Sequence, residues 1–187
     1  MRVASIILIL FPLLACSHEA ALSLNESISK SNHFIVNGTR SPQTLELTDG
    51  EKLAIGFLTD VDGDNYCTGT LITSRLVVTA EHCVDDRFAS ETFFGIGEQP
   101  HEPRAMIPVS EIRLHPTIDF AVLILGLDVS QVIPEVEHLG LNRDLFKDTW
   151  VGEWVDAAGF GDTYSFETGL FFAKVEIVVY DEDVVTV

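Results

Sequence analysis

With 187 residues, 47% of them apolar, the chain can fill one medium-sized hydrophobic core, which excludes wholesale disorder. Its 11 Lys and Arg against 29 Asp and Glu give a net charge of −18, the wrong sign for gripping nucleic-acid phosphates. No apolar run reaches the roughly 18 residues of a membrane-spanning helix, and three cysteines are too few for a disulfide-dense miniprotein.

Arg2 is the only charged side chain before Glu19, and residues 3–14 are apolar apart from Ser5. A basic start followed by a short apolar stretch predicts an export signal over residues 1–15. The stretch closes on Leu13-Leu14-Ala15-Cys16, which resembles the lipobox of bacterial lipoproteins. That resemblance implies cleavage before Cys16 and a diacylglyceryl group on its sulfur, a lipid anchor to which each buried CH₂ adds roughly 0.8 kcal/mol. In the other reading Cys16 is discarded with the signal, cleavage falls near Ser17 or Ala20, and the protein is secreted. Residues 16–34, rich in Ser and Asn and without period, read as a tether or propeptide.

From Ile35 onward, short apolar runs alternate with Gly, Asp, Asn and Pro. Residues 52–59 and 66–73 are rich in strand formers and flank Asp60-Val61-Asp62-Gly63-Asp64-Asn65, which predicts a hairpin. Further strands are predicted over 75–79, 91–96, 104–114, 120–125, 150–158 and 170–180. No long segment carries a 3.6-residue period, so the fold class is all-β, a barrel or a sandwich. Asp60, Asp62 and Asp64 do not make an EF-hand loop: Gly63 stands fourth where that loop needs it sixth, and Leu71 occupies the place of the bidentate Glu. They read as a solvated turn.

An odd cysteine count calls for an account of the unpaired one. With Cys16 acylated, Cys67 and Cys83 remain either as one disulfide or as two buried thiols. The disulfide would close a loop of about 17 residues and contribute roughly 3 kcal/mol through chain entropy.

The informative stretch runs Cys67-Thr68-Gly69-Thr70-Leu71-Ile72, then Thr79-Ala80-Glu81-His82-Cys83. It resembles the trypsin/chymotrypsin-like serine peptidases, which carry Cys-Gly-Gly-Ser-Leu-Ile and Thr-Ala-Ala-His-Cys. The resemblance implies that Cys67 and Cys83 are bridged and that His82 is the catalytic base. Ile35-Val36-Asn37-Gly38 is similar to the family's mature amino terminus, which implies cleavage before Ile35 and pairing of the new amine with an Asp beside the nucleophile. Phe34 stands where the family usually has Arg or Lys, so activation by a trypsin-like enzyme is not expected. His115-Pro116-Thr117-Ile118-Asp119-Phe120-Ala121-Val122-Leu123 resembles the strand that opens on the triad Asp, which assigns that role to Asp119. Ala158-Gly159-Phe160-Gly161 resembles the Gly-Trp-Gly strand that opens the second barrel. Together these imply a trypsin-like double β-barrel over residues 35–187, with the first barrel complete and the second incomplete.

The implied chemistry is peptide-bond hydrolysis. A hydroxyl nucleophile is weak until a base takes its proton, a role that suits imidazole near neutral pH. A carboxylate then fixes the tautomer of the ring and stabilises its cation. The family's nucleophile sits in a Gly-Asp-Ser-Gly-Gly segment, and residues 1–187 contain none. After Asp119 the only serines are Ser130 and Ser165, neither flanked by glycine. The expectation is therefore a serine endopeptidase acting on proteins or peptides, truncated before its nucleophile and inactive as it stands. The alternative is a catalytically inactive trypsin-like homologue serving as a membrane-anchored binding protein. No cofactor and no metal are expected. A half-built second barrel would also leave strand edges open to aggregation.

Overall fold

The computed structural model describes residues 38–144, 147–161, 167–181 and 184–186. The expected export signal (1–15), tether (16–34), Cys16 and Ile35 lie outside the described residues.

Among the described residues the first regular element is a single helical turn, α1 (Asp49–Lys52). Thr48 caps it reciprocally: its hydroxyl accepts the Glu51 N–H at 3.0 Å, and the Glu51 carboxylate accepts the Thr48 N–H at 2.8 Å. Lys52 therefore closes a helix, not the start of a strand as predicted. Six strands follow: β1 (Ile55–Thr59), β2 (Asn65–Leu71), β3 (Leu76–Thr79), β4 (Phe93–Ile96), β5 (Ala105–Leu114) and β6 (Ala121–Leu125). They close into a barrel in the order β1-β2-β3-β6-β5-β4, with β4 pairing back onto β1. The predicted hairpin is the β1–β2 pair. Its turn uses Gly63 at φ 89°, a region that an L side chain rarely adopts. The Asp60 carboxylate accepts the N–H groups of Asp62 and Asp64, so this acid serves its own turn.

Strand alternation directs the core. On β6, Ala121, Leu123 and Leu125 point inward to meet Leu58, Leu71, Val77, Phe94, Ile96 and Ile107. β1 is buried along its whole length because both of its faces are covered. Leu58 belongs to the barrel core, whereas Ile55 and Phe57 pack with Phe160, Leu170 and Phe172 in a second cluster. Glycines make room for the rings: a Cβ on Gly95 would run into the Phe57 ring, and one on Gly56 into the Phe94 ring.

The second cluster is roofed by β7 (Trp154–Gly159), antiparallel to β8 (Phe171–Glu176). A separate pair, β9 (Val179–Asp181) and β10 (Val184–Thr186), follows. The strand predicted over 170–180 is thus two strands. The Ile177 N–H bonds to the Glu153 carbonyl and the Ile177 carbonyl accepts the Gly152 N–H, a break that the apolar run Ile177-Val178-Val179 concealed. The strand predicted from residue 150 begins only at Trp154, after a 3-10 turn at Asp148–Trp150 and a positive φ of 90° at Gly152. Thr39 exchanges two backbone hydrogen bonds with Phe172, both 2.8 Å, and so adds the start of the described chain to the edge of β8. The architecture is all-β, with one closed barrel and two two-stranded sheets among the described residues. Among the described residues no helix is long and apolar enough to cross a membrane.

Candidate active site

β3 and β6 are neighbours in the barrel, with Thr79 opposite Ala121. His82 follows Thr79 by three residues and Asp119 precedes Ala121 by two, so both arrive at the same rim. His82 lies in a 3-10 turn, Glu81–Cys83, closed by the Val84 N–H to the Glu81 carbonyl at 2.8 Å. The turn is fastened to the barrel wall by a disulfide between Cys83 and Cys67 of β2, with 6.1 Å between their Cα atoms. Asp119 sits in the turn between β5 and β6, which the His115 N–H closes onto the Phe120 carbonyl at 2.8 Å.

Asp119 holds His82 at two points. Its Oδ1 accepts the His82 backbone N–H at 3.0 Å and its Oδ2 lies 2.7 Å from His82 Nδ1. These contacts hold the Asp119 carboxyl below the usual carboxylate range, the backbone N–H first and the ring second. With Nδ1 occupied by the carboxylate, Nε2 is the nitrogen through which the imidazole can take or give a proton. Both side chains are exposed, 64% for His82 and 56% for Asp119, so the pair stands open at the rim.

The structure thus brings His82 and Asp119 together and joins Cys67 to Cys83. Cys67, Cys83 and His82 place their donor atoms within 4.8 Å of one another, but the sulfurs are bonded to each other and offer no thiolate to a metal. Ser130 bonds to Asp128 through both its hydroxyl and its N–H, as a cap partner. Ser165 lies outside the described residues. A cleft of about 330 Å³ opens between the β1–β2 turn and the segment after His82, lined by Asp60, Val61, Asp86, Arg87 and Phe88 among others but by neither His82 nor Asp119.

Sequence reasoning overlooked two supports. The Thr68 hydroxyl accepts the Phe160 N–H at 3.0 Å and ties the second sheet to the barrel beside Cys67. His115 accepts two backbone N–H groups of the turn that carries Asp119. The only sequence signal for the second was a histidine placed just before the candidate Asp.

Residues 45–186 match the family model described as Trypsin. The chain belongs to the trypsin family. Among curated proteins, it is similar to Serine protease Hayan of Drosophila melanogaster, 29% identical over 110 residues. That match covers 48% of this chain and only 17% of the length of that relative. Among solved structures, it shares its fold with neuropsin, a serine protease expressed in the limbic system of mouse brain. The TM-score is 0.61 at 18% identity, over 80% of this chain and 71% of that one. A trypsin-family chain with its first barrel closed and a disulfide beside the rim accounts for the sequence motifs that surround His82.

Proposed function

We propose that this trypsin-family chain carries the base and the orienting acid of a serine endopeptidase. The observation that supports it is the two-point grip of Asp119 on His82. In this reading His82 Nε2 accepts the proton of a serine hydroxyl as that oxygen attacks a peptide carbonyl. His82 then returns the proton to the leaving amine, while Asp119 holds the ring tautomer and offsets the charge of the imidazolium. Substrates are proteins or peptides. The nucleophile belongs to a Gly-Asp-Ser-Gly-Gly segment that residues 1–187 do not contain, so these residues alone form no acyl-enzyme.

A fluorophosphonate, which labels activated serines, tests this on the gene product purified from its source. Labelling is expected in a product carrying a Gly-Asp-Ser-Gly-Gly segment and is lost in Asp119→Asn and His82→Ala; residues 1–187 alone stay unlabelled. A product that carries the segment and resists labelling would leave the second reading, a binding protein on a peptidase fold. We further propose that residues 1–15 direct export and that Cys16 carries the lipid anchor. Mass spectrometry of the mature amino terminus checks this: a diacylated Cys16 is expected, and an unmodified terminus at Ser17 or Ala20 sinks the anchor.

A further inference from the structure

We infer that His115 is a positioning residue for Asp119: its imidazole shapes the turn that aims the carboxylate at His82. The inference rests on the proposed pairing of His82 with Asp119.

The turn has six residues, 115–120, between the paired ends Leu114 of β5 and Ala121 of β6. Pro116 has no N–H to contribute. The next two amides, Thr117 and Ile118, both donate to His115 Nδ1, at 3.3 and 3.2 Å. A side-chain acceptor meeting the N–H groups two and three residues ahead is the arrangement that Asn and Asp use in an Asx turn, here made by an imidazole. On the far side, the His115 N–H bonds to the Phe120 carbonyl at 2.8 Å, and the imidazole packs edge-on against the Phe120 ring, with centroids 6.5 Å apart. Ile118 and Phe120 are thus both pinned to His115, and Asp119 stands between them.

Asp119 needs such a mount. Its carboxylate is more than half exposed, and among the described residues no packed wall selects its rotamer. Its two oxygens reach outward to His82. An exposed pair gains little by itself, because solvent screens it and side-chain entropy opposes it. A rigid turn lowers that entropy cost beforehand.

The arrangement sets the two neutral rings in opposite tautomers. His115 Nδ1 accepts, so its proton is on Nε2; His82 Nδ1 faces a carboxylate, so its proton is on Nδ1. Nitrogen-15 NMR of the full chain at about pH 9, above the histidine range, reads both tautomers directly. In the unaltered protein His82 is expected as Nδ1–H, and Asp119→Asn shifts it towards the mixture of free imidazole. If these two do not differ, the pairing itself is wrong and the inference falls with it. Two variants then separate acceptor from packing. His115→Phe keeps the ring against Phe120 and removes the acceptor; it is expected to release His82 to the mixed tautomer while the circular dichroism of the fold persists. His115→Asn removes the ring and keeps an acceptor; it is expected to hold His82 as Nδ1–H. Retention of the Nδ1–H form in His115→Phe overturns the inference and leaves the pairing intact. Should His115→Phe not fold, His115→Asn decides: loss of the Nδ1–H form there overturns it equally.

Discussion

Asp156 gathers the backbone of residues 43–45 around one carboxylate. It accepts the N–H groups of Gln43, Thr44 and Leu45 and the Thr44 hydroxyl, at 2.5–3.3 Å. Partial burial pushes its carboxyl up, but the Thr44 hydroxyl and the three amides outweigh that and leave it below the ordinary range. A carboxyl lowered in the folded state binds fewer protons there than when unfolded. Its contribution to stability is therefore complete above the unfolded value, near 3.9, and is lost as pH falls through the folded one. Asp156→Asn, which keeps one acceptor oxygen and removes the charge, is expected to lower the melting temperature at pH 7. The gap to the unaltered protein is expected to narrow by pH 3, and thermal melts at the two pH values check this. Asp119 follows the same sign, so its hold on His82 persists to lower pH than an ordinary carboxylate's would and is lost only as acid passes below that range.

The barrel strands rest on pairs of a ring and a bare backbone. Gly95 is the partner of Phe57 across β4 and β1, and the Phe57 ring lies over it. Gly95→Ala forces ring and methyl into one space; overpacking of this kind costs about 1–3 kcal/mol, to be read as a lower urea midpoint with an unchanged slope. Much at this level was legible beforehand. The hairpin could be read because Asp60–Asn65 contains only turn formers and one valine, and β6 because five consecutive apolar residues follow a turn that holds Pro116 and Asp119. The helix Asp49–Lys52 escaped because four residues show no period, although Thr48 and Glu51 already spelled a capping box. The break after Glu176 escaped because Ile177 and Val178 prolong the strand pattern while the Ile177 backbone bonds to residues 152 and 153. His82 and Asp119 stand 37 positions apart, and no spacing rule joins them; only the motif resemblance did. Nothing in a sequence tells which ring nitrogen of His115 meets which amide.

At the scale of the molecule, β1 is the shared wall of two cores. Phe57 is 1% exposed and stacks edge-on with Phe160 at 5.1 Å, while its neighbour Leu58 faces the opposite core. Phe57→Ala is expected to cost about 3–5 kcal/mol. Because the cavity lies at the junction, amide exchange should accelerate in β8 as well as in β1 and β4; acceleration confined to the barrel would show that the two cores are energetically separate. The Thr68–Phe160 hydrogen bond crosses the same junction, so the second sheet is braced close to the disulfide that carries the His82 turn.

The bond between Thr39 and Phe172 joins residues 133 positions apart, and Asp156 reaches back over more than a hundred to residues 43–45. A ribosome adding about 5–20 residues per second needs roughly 7–27 seconds to travel from one end of that first contact to the other. The six barrel strands, all between Ile55 and Leu125, can pair long before then. Residues 39–45 leave the ribosome before the barrel does, and their partners Asp156, Leu170 and Phe172 follow only with the second sheet. The barrel and the second sheet therefore settle in the order in which they are made, and residues 39–45 are held last although they are made before either.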